Sequence, residues 1–173
     1  MNVFLRLKHW QLVGLLCIAH IISMIAAILD EQPTIMFIAG LLFFGIFFGW
    51  YYTLGINLNK KLPNKVKMNL TKFKWILFIL TAYMILFNMF FFSFWLKKVD
   101  YPGSFVVLLP FQLPVMFLML YCLYFTAKSL KVVELQRPVD FKDYAEEFFL
   151  FCFLPIGIWI IQPKINKIFE SKS

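Results

Sequence analysis

The polar residues that could do chemistry in this sequence are few, and three of them lie inside long apolar runs: His20, Asn88 and Gln112. A histidine among apolar residues needs a hydrogen-bond partner, which an amide side chain can supply. At about 1.5 Å of rise per helical residue, Asn88 and Gln112 would lie only about 5 Å from the level of His20 in a membrane. Such a set can form a polar site or proton relay, or simply hold helices together by hydrogen bonds. We favour the second interpretation, because no charged residue accompanies the histidine inside its run.

No catalytic motif accompanies these residues. The sequence contains no HExxH motif, no phosphate-binding loop and no pair of carboxylates within an apolar run. The second histidine, His9, is close to His20 in the chain, which argues against two histidines binding haem from opposite sides. The cysteines are Cys17, Cys122 and Cys152, and none has metal-ligand spacing. We therefore expect no enzymatic activity, no disulfide, no metal and no cofactor.

The composition indicates a membrane protein. Hydrophobic residues make up 62% of the 173 residues, and 23 residues are phenylalanine. A soluble domain of this length has too little interior to bury so much apolar surface. The net charge of +8 comes from basic residues that flank the apolar runs, which suits anionic lipid headgroups rather than nucleic acid. We expect an all-α integral membrane protein with lipid, and not nucleic acid, as its partner.

Four apolar runs are long enough to cross a bilayer as helices, which requires about 20 residues each. They lie at about residues 12–29, 35–56, 75–96 and 105–127. No small-residue cleavage site ends the first run, so we interpret it as an uncleaved signal anchor. Pro110 and Pro114 predict a kink in the fourth run. The sequence thus predicts a four-helix transmembrane domain over residues 1–127, followed by a C-terminal module over residues 128–173.

Basic residues predict the orientation of this domain. Six lysines without any acidic residue among them form a lysine loop between the second and third runs: Lys60, Lys61, Lys65, Lys67, Lys72 and Lys74. The positive-inside rule places this loop and the N-terminus in the cytoplasm. We predict that the six lysines contact anionic headgroups of a bacterial cytoplasmic (inner) membrane.

The second run contains Gly45 and Gly49, which form a GxxxG pair. Small residues at this spacing let two helices approach closely. The pair can join two copies of the chain in a homo-oligomer or pack helices within one copy. We favour packing within one bundle.

The last apolar run extends from Phe148 to Ile161 and is too short for an ordinary span. Its 14 residues would cover about 21 Å as a helix, against a hydrocarbon thickness of about 30 Å. Pro155 and Gly157 also interrupt the run. We predict a broken, re-entrant or interfacial helix that keeps the tail on the cytoplasmic side, and a short fifth span is the alternative.

An amphipathic helix is predicted to lead into this run. Asp140 is a plausible N-cap residue, because it directly precedes apolar residues at helical spacing. The opposite face carries Asp143, Glu146 and Glu147, and we expect these three carboxylates to be exposed to water.

The C-terminal module is also predicted to be a docking element for lipid or a membrane-protein partner. Its candidate contact residues are Phe148, Phe149, Pro155, Trp159 and Pro163. The segment FFLFCFLPIGIWIIQPKINK within it resembles the ending of many small uncharacterised bacterial multi-pass membrane proteins. This resemblance covers about residues 127–168 and implies that the module recurs, but it brings no activity with it.

These observations predict a small membrane scaffold or accessory subunit. The alternative is a minor transporter or channel that uses His20, Asn88 and Gln112 as its polar site.

Overall fold

A computed structural model of the protein describes residues 3–28, 33–97 and 104–170. Within these ranges the chain forms helices and no strand. The helices are α1 (Val3–Arg6), α2 (His9–Ile28), α3 (Pro33–Asn59), α4 (Leu70–Lys97), α5 (Ser104–Leu135), α6 (Phe141–Cys152) and α7 (Leu154–Glu170). Four of them, α2 to α5, are long and apolar enough to cross a membrane. The prediction of an all-α protein with four spans and a C-terminal apolar helical segment is confirmed.

The four long helices are apolar around their whole circumference, as expected for helices surrounded by lipid and by each other. Large side chains such as Ile18, Phe78 and Phe117 are 57%, 65% and 64% exposed. In water such exposure would be unfavourable, whereas lipid acyl chains can cover these side chains. The predicted end of the first run at residue 29 lies outside the described residues.

Helix α3 lies at the centre of the bundle, where it packs against α2, α4 and α5. Its residues Trp50, Tyr51 and Leu54 are fully buried. Phe73 of α4 stacks on Phe125 of α5 with 4.3 Å between the ring centroids. Helix α5 continues without interruption through its two prolines and past residue 127 to Leu135.

Three shorter helices cover one end of this bundle. Helix α1 contacts α3 and α7, α6 packs against α5, and α7 packs against α2 and α6. The start of α2, the lysine loop, the end of α5 and the C-terminal module therefore all lie at the same end, which we call the basic end. Neither α6 nor α7 is among the four candidate spans.

Candidate functional site

The C-terminal module consists of two helices separated by a sharp break. Helix α6 ends at Cys152, and Phe153 leaves the helical conformation with φ −97° and ψ 66°. Helix α7 begins at Leu154, so Pro155 occupies its first turn, where a residue without an N–H group is tolerated. The predicted break is confirmed, and it lies at Phe153, two residues before Pro155.

Gly157 allows α7 to pass directly beside the end of α6. A Cβ atom at this position would overlap with the backbone carbonyl oxygen of Leu150. The backbone N–H of Gly157 donates to the carbonyl of Phe153 at 2.7 Å. The glycine is therefore a requirement of the turn between the two helices.

Asp140 is the N-cap of α6, as predicted. Its backbone N–H donates to Oδ2 of Asp143 at 3.0 Å. Arg137 pairs with Oδ1 of the same carboxylate at 3.1 Å. These two interactions, the backbone hydrogen bond first, lower the pKa of Asp143. The first turn of α6 is thereby fixed to the short connection that follows α5.

The expectation that Glu147 is exposed to water is wrong, because its side chain is completely buried. Its Oε1 atom lies 2.9 Å from Nζ of Lys131 on α5 and 3.0 Å from Nζ of Lys164 on α7. Glu147 is turned towards the bundle, where two other helices supply cations. Glu146, next to it, is exposed as expected.

The ionisation of Glu147 follows from these contacts. Burial acts to raise the pKa of its carboxyl group, but the hydrogen bonds from Lys131 and Lys164 outweigh burial and lower the pKa. The other oxygen, Oε2, is buried and has no hydrogen-bond partner among the described residues. The carboxylate therefore stays charged, and it connects α5, α6 and α7 through a single oxygen atom.

Gln162 forms a second buried polar connection that the sequence reasoning missed. Its Oε1 accepts a hydrogen bond from Nε1 of Trp50 at 3.1 Å. Its Nε2 donates to the backbone carbonyls of Phe4 and Leu7, each at 3.0 Å. The only sequence signal was one amide at the end of an apolar run. This side chain links α7 to α3 and to the N-terminal segment.

The outward face of the module is apolar. Its exposed large side chains are Phe149, Phe153, Ile156, Trp159 and Ile160. Among the other residues predicted to dock, Phe148 is half-buried and Pro163 is exposed, while Pro155 lies in the first turn of α7. The module thus turns two polar side chains, Glu147 and Gln162, towards the bundle among buried apolar ones, and it exposes large apolar side chains on its outer side.

The lysine loop is divided between two environments. Lys60 and Lys61 line a cavity of about 890 Å³ at the basic end, together with Lys164 and Lys167 of α7. The other four predicted lipid contacts are exposed outside this cavity: Lys65, Lys67, Lys72 and Lys74. The prediction that they bind headgroups stays a prediction.

A second cavity, of about 390 Å³, lies between α2, α3 and α4. Its polar lining includes His20, Ser23 and Asn88, among several phenylalanines. Asn88 packs directly against Gly40, where a Cβ atom would overlap with its amide nitrogen. Gln112 is half-buried on α5 and is not among the residues that line this cavity. The structure therefore brings together two members of the predicted polar cluster and not the third.

The two glycines of the GxxxG pair have different surroundings. A Cβ atom at Gly49 would lie 3.2 Å from the ring of Phe4 in α1. At Gly45, no other atom lies within 4 Å of that position. Only Gly49 therefore contributes to close packing within one copy of the chain.

Comparisons of the chain with protein-family models, with curated proteins and with solved structures find no match. The resemblance of its C-terminal segment to the endings of small bacterial membrane proteins stays a prediction.

Proposed function

We propose that this protein is a small scaffold or accessory subunit of the bacterial cytoplasmic membrane. In this proposal the basic end faces the cytoplasm and contacts anionic lipid. The outward face of the C-terminal module contacts a helix of a membrane-protein partner. The observation that carries the proposal is an outward face with large exposed apolar side chains, combined with an inner face that the chain itself closes through buried apolar side chains and the charge pairs of Glu147.

The energetics of the outward face support a membrane location. Burial of a large apolar side chain stabilises a protein by about 1.5–3 kcal/mol relative to exposure in water. The outward face has five such side chains, one on α6, one at the break and three on α7, and each is between 42% and 65% exposed. The module must therefore be covered by lipid or by another protein. Trp159 suits either surface, because its ring is large and its N–H group can reach a polar partner.

The charge distribution supports the orientation. The lysine loop, the start of α2 and the C-terminal module share the basic end. Basic residues are enriched on the cytoplasmic side of membrane proteins. In a cysteine-free background, Lys65→Cys and Lys167→Cys should both react with a membrane-impermeant reagent only from the cytoplasmic side. Reaction of the two positions from opposite sides would contradict the proposed topology.

A photo-cross-linking amino acid can test the docking function. Placed at position 159, it should give protein adducts in native membranes, because a partner helix covers Trp159. Placed at the exposed Phe117 of α5, it should give lipid adducts alone, and this position serves as the matched control. If position 159 gives only lipid adducts as well, the module is a membrane anchor and the scaffold proposal fails.

The cavity beside His20 supports transport as a second candidate function. His20 and Asn88 line it from different helices, and a polar pathway through a membrane requires such groups. Proteoliposomes with an internal pH indicator should then show a proton flux that His20→Gln abolishes. An unchanged flux in that variant would remove His20 from the pathway.

A further inference from the structure

Two distant parts of the sequence bring lysines to one concave surface at the basic end. Lys60 and Lys61 follow α3, whereas Lys164 and Lys167 belong to α7. Residues from the end of α5, including Glu134 and Gln136, form the third side. We call this surface, with its volume of about 890 Å³, the basic cavity.

The charges that line the basic cavity are mostly positive. Glu134 is its one acidic residue, and this carboxylate already lies 3.5 Å from Lys131. Lys164 shares its charge with Glu147. In contrast, no salt bridge within the described part of the chain involves Lys60 or Lys167, and both are exposed. The cavity can therefore attract an anion and offer it ammonium donors, the groups that bind phosphate oxygens strongly.

The walls of the basic cavity are held together by specific contacts. Nζ of Lys61 donates to the backbone carbonyl of Ile168 and lies 4.2 Å from the centroid of the Phe169 ring. This pair of contacts fixes the lysine loop against α7. Gln136 ends α5 in the left-handed conformation with φ 53°, and its Nε2 donates to the carbonyl of Val133 at 2.7 Å. The contacts of Lys61 thus join the lysine loop to α7, and Glu147 joins α7 to α5 through Lys164 and Lys131.

The apolar surface beside the cavity indicates the kind of anion. Ile160 and Ile156 precede Lys164 by one and two helical turns, about 6 Å and 12 Å along the axis of α7. Both isoleucines are exposed, at 42% and 65%. A ligand with a phosphate at Lys164 and Lys167 would have its apolar part beside these two residues. A soluble phosphate compound would leave them uncovered.

We propose that the basic cavity binds the headgroup of one anionic phospholipid, with an acyl chain of that lipid along Ile156 and Ile160. The number of lysines and the volume of the cavity suit a headgroup with two phosphates better than one with a single phosphate. This inference deepens the proposed lipid contact and rests on the membrane location of the basic end. It differs from general attraction to a charged surface, because it assigns the site to Lys60 and Lys167 and not to the whole lysine loop.

The test compares two double variants with the same change in net charge. Lys60→Gln with Lys167→Gln removes the two cavity lysines that have no salt bridge among the described residues. Lys8→Gln with Lys142→Gln removes two exposed lysines outside both the cavity and the lysine loop. The full-length protein in mild detergent is titrated with cardiolipin, and lipid-bound protein is counted by native mass spectrometry. Phosphatidylglycerol and phosphatidylcholine are the reference lipids, and soluble pyrophosphate is the competitor.

We expect the cavity variant to bind cardiolipin roughly 30-fold more weakly, since each lysine near a headgroup contributes a factor of about five. The control variant should stay within about twofold of the natural chain. Equal losses in both variants would overturn the site while leaving general lipid attraction intact. No loss in either variant would overturn the site and also count against general attraction by these lysines. Displacement of cardiolipin by equimolar pyrophosphate would overturn the assignment to a lipid. The photo-cross-linking at position 159 tests the scaffold function separately, because it detects protein adducts and does not depend on the two cavity lysines.

Discussion

Replacement of Glu147 by glutamine should loosen the C-terminal module from the bundle. The natural carboxylate accepts hydrogen bonds from two ammonium groups through one oxygen atom, at 2.9 Å and 3.0 Å. In Glu147→Gln the negative charge disappears while Lys131 and Lys164 stay close together. Two cations then face each other across a neutral amide, whose oxygen accepts each hydrogen bond more weakly than the carboxylate oxygen does.

The size of this effect can be estimated from the burial of the three side chains and from the geometry of their hydrogen bonds. Removal of one partner from a buried charge pair typically costs about 3–5 kcal/mol. Here the two lysine side chains are 19% and 32% exposed, so their ammonium groups can turn partly towards water. One hydrogen bond to a charged group, worth about 1.5–3 kcal/mol, is the minimum loss. We call the module closed when α6 and α7 pack against the bundle and open when they separate from it. We therefore expect Glu147→Gln to destabilise the closed state by about 2 kcal/mol relative to the open state.

The assay measures opening of the module through a buried thiol. Ile158 on the inner face of α7 is 1% exposed, and Ile158→Cys in a cysteine-free background should react with a maleimide only when the module opens. If opening and closing are fast relative to labelling, a change of about 2 kcal/mol raises the labelling rate about 30-fold.

Glu146→Gln is the matched control for this experiment. It makes the same chemical change on the adjacent residue, which is exposed. A surface change of this kind usually alters stability by no more than about 0.5 kcal/mol, or about twofold in rate. Similar labelling rates in Glu147→Gln and Glu146→Gln would show that the two buried hydrogen bonds do not hold the module closed.

The same labelling assay serves two further variants, and proteolysis serves a third test. Gly157→Ala should raise the labelling rate strongly, because the new Cβ atom would overlap with a backbone oxygen of α6. Gly45→Ala is the control and should leave the rate unchanged, because its Cβ atom would meet no other atom. Equal effects of the two variants would contradict the close approach of α7 to α6 at Gly157. Gln162→Leu should also raise the rate, since it removes the donor to the Phe4 carbonyl and the acceptor of Trp50 Nε1, whereas the Leu7 carbonyl keeps the donor of Asn166. A rate equal to that of the natural chain would show that water replaces the amide at no cost. The lowered pKa of Glu147 means that this carboxylate binds protons more readily in the open module than in the closed one. The contribution of its charge pairs to the stability of the closed module is therefore fully present above the ordinary glutamate pKa of about 4.3. That contribution is lost as the pH falls through the lowered pKa. The resistance of the natural chain to pepsin should accordingly fall towards that of Glu147→Gln in this acidic range, and a constant difference between them would contradict the assignment.

The parts of the fold that sequence predicted well depend on local signals. A membrane span needs a long apolar run, so four runs were enough to place α2 to α5. The break between α6 and α7 followed from Pro155 and Gly157, because neither residue suits a helix interior. Asp140 was recognisable as an N-cap from its position before the apolar repeat.

The parts that sequence did not predict depend on contacts between distant helices. Glu147 looked like a solvated residue because its own helix is amphipathic, and only the fold brings Lys131 and Lys164 to it. The sequence predicts the depth of a residue in the membrane. Whether two residues at the same depth are in contact also depends on how each helix is rotated about its axis and on which helices are neighbours. Gln112 matched Asn88 in predicted depth, yet it does not line the cavity where His20 and Asn88 meet.

The C-terminal module buries one charged side chain and exposes several large apolar ones. On a water-soluble protein the charged face of such a helix turns outwards, whereas here the buried carboxylate of Glu147 faces the bundle and Phe153 and Ile156 face outwards. The inner contacts are therefore complete without any partner, because the lysines that neutralise Glu147 come from the same chain. A partner helix on the outward face would cover apolar surface without entering the charge pairs. Partner binding and closure of the module should thus be separable. In cells that lack the partner, the photo-cross-linker at position 159 should lose its protein adduct. The labelling rate of Ile158→Cys should stay the same in these cells.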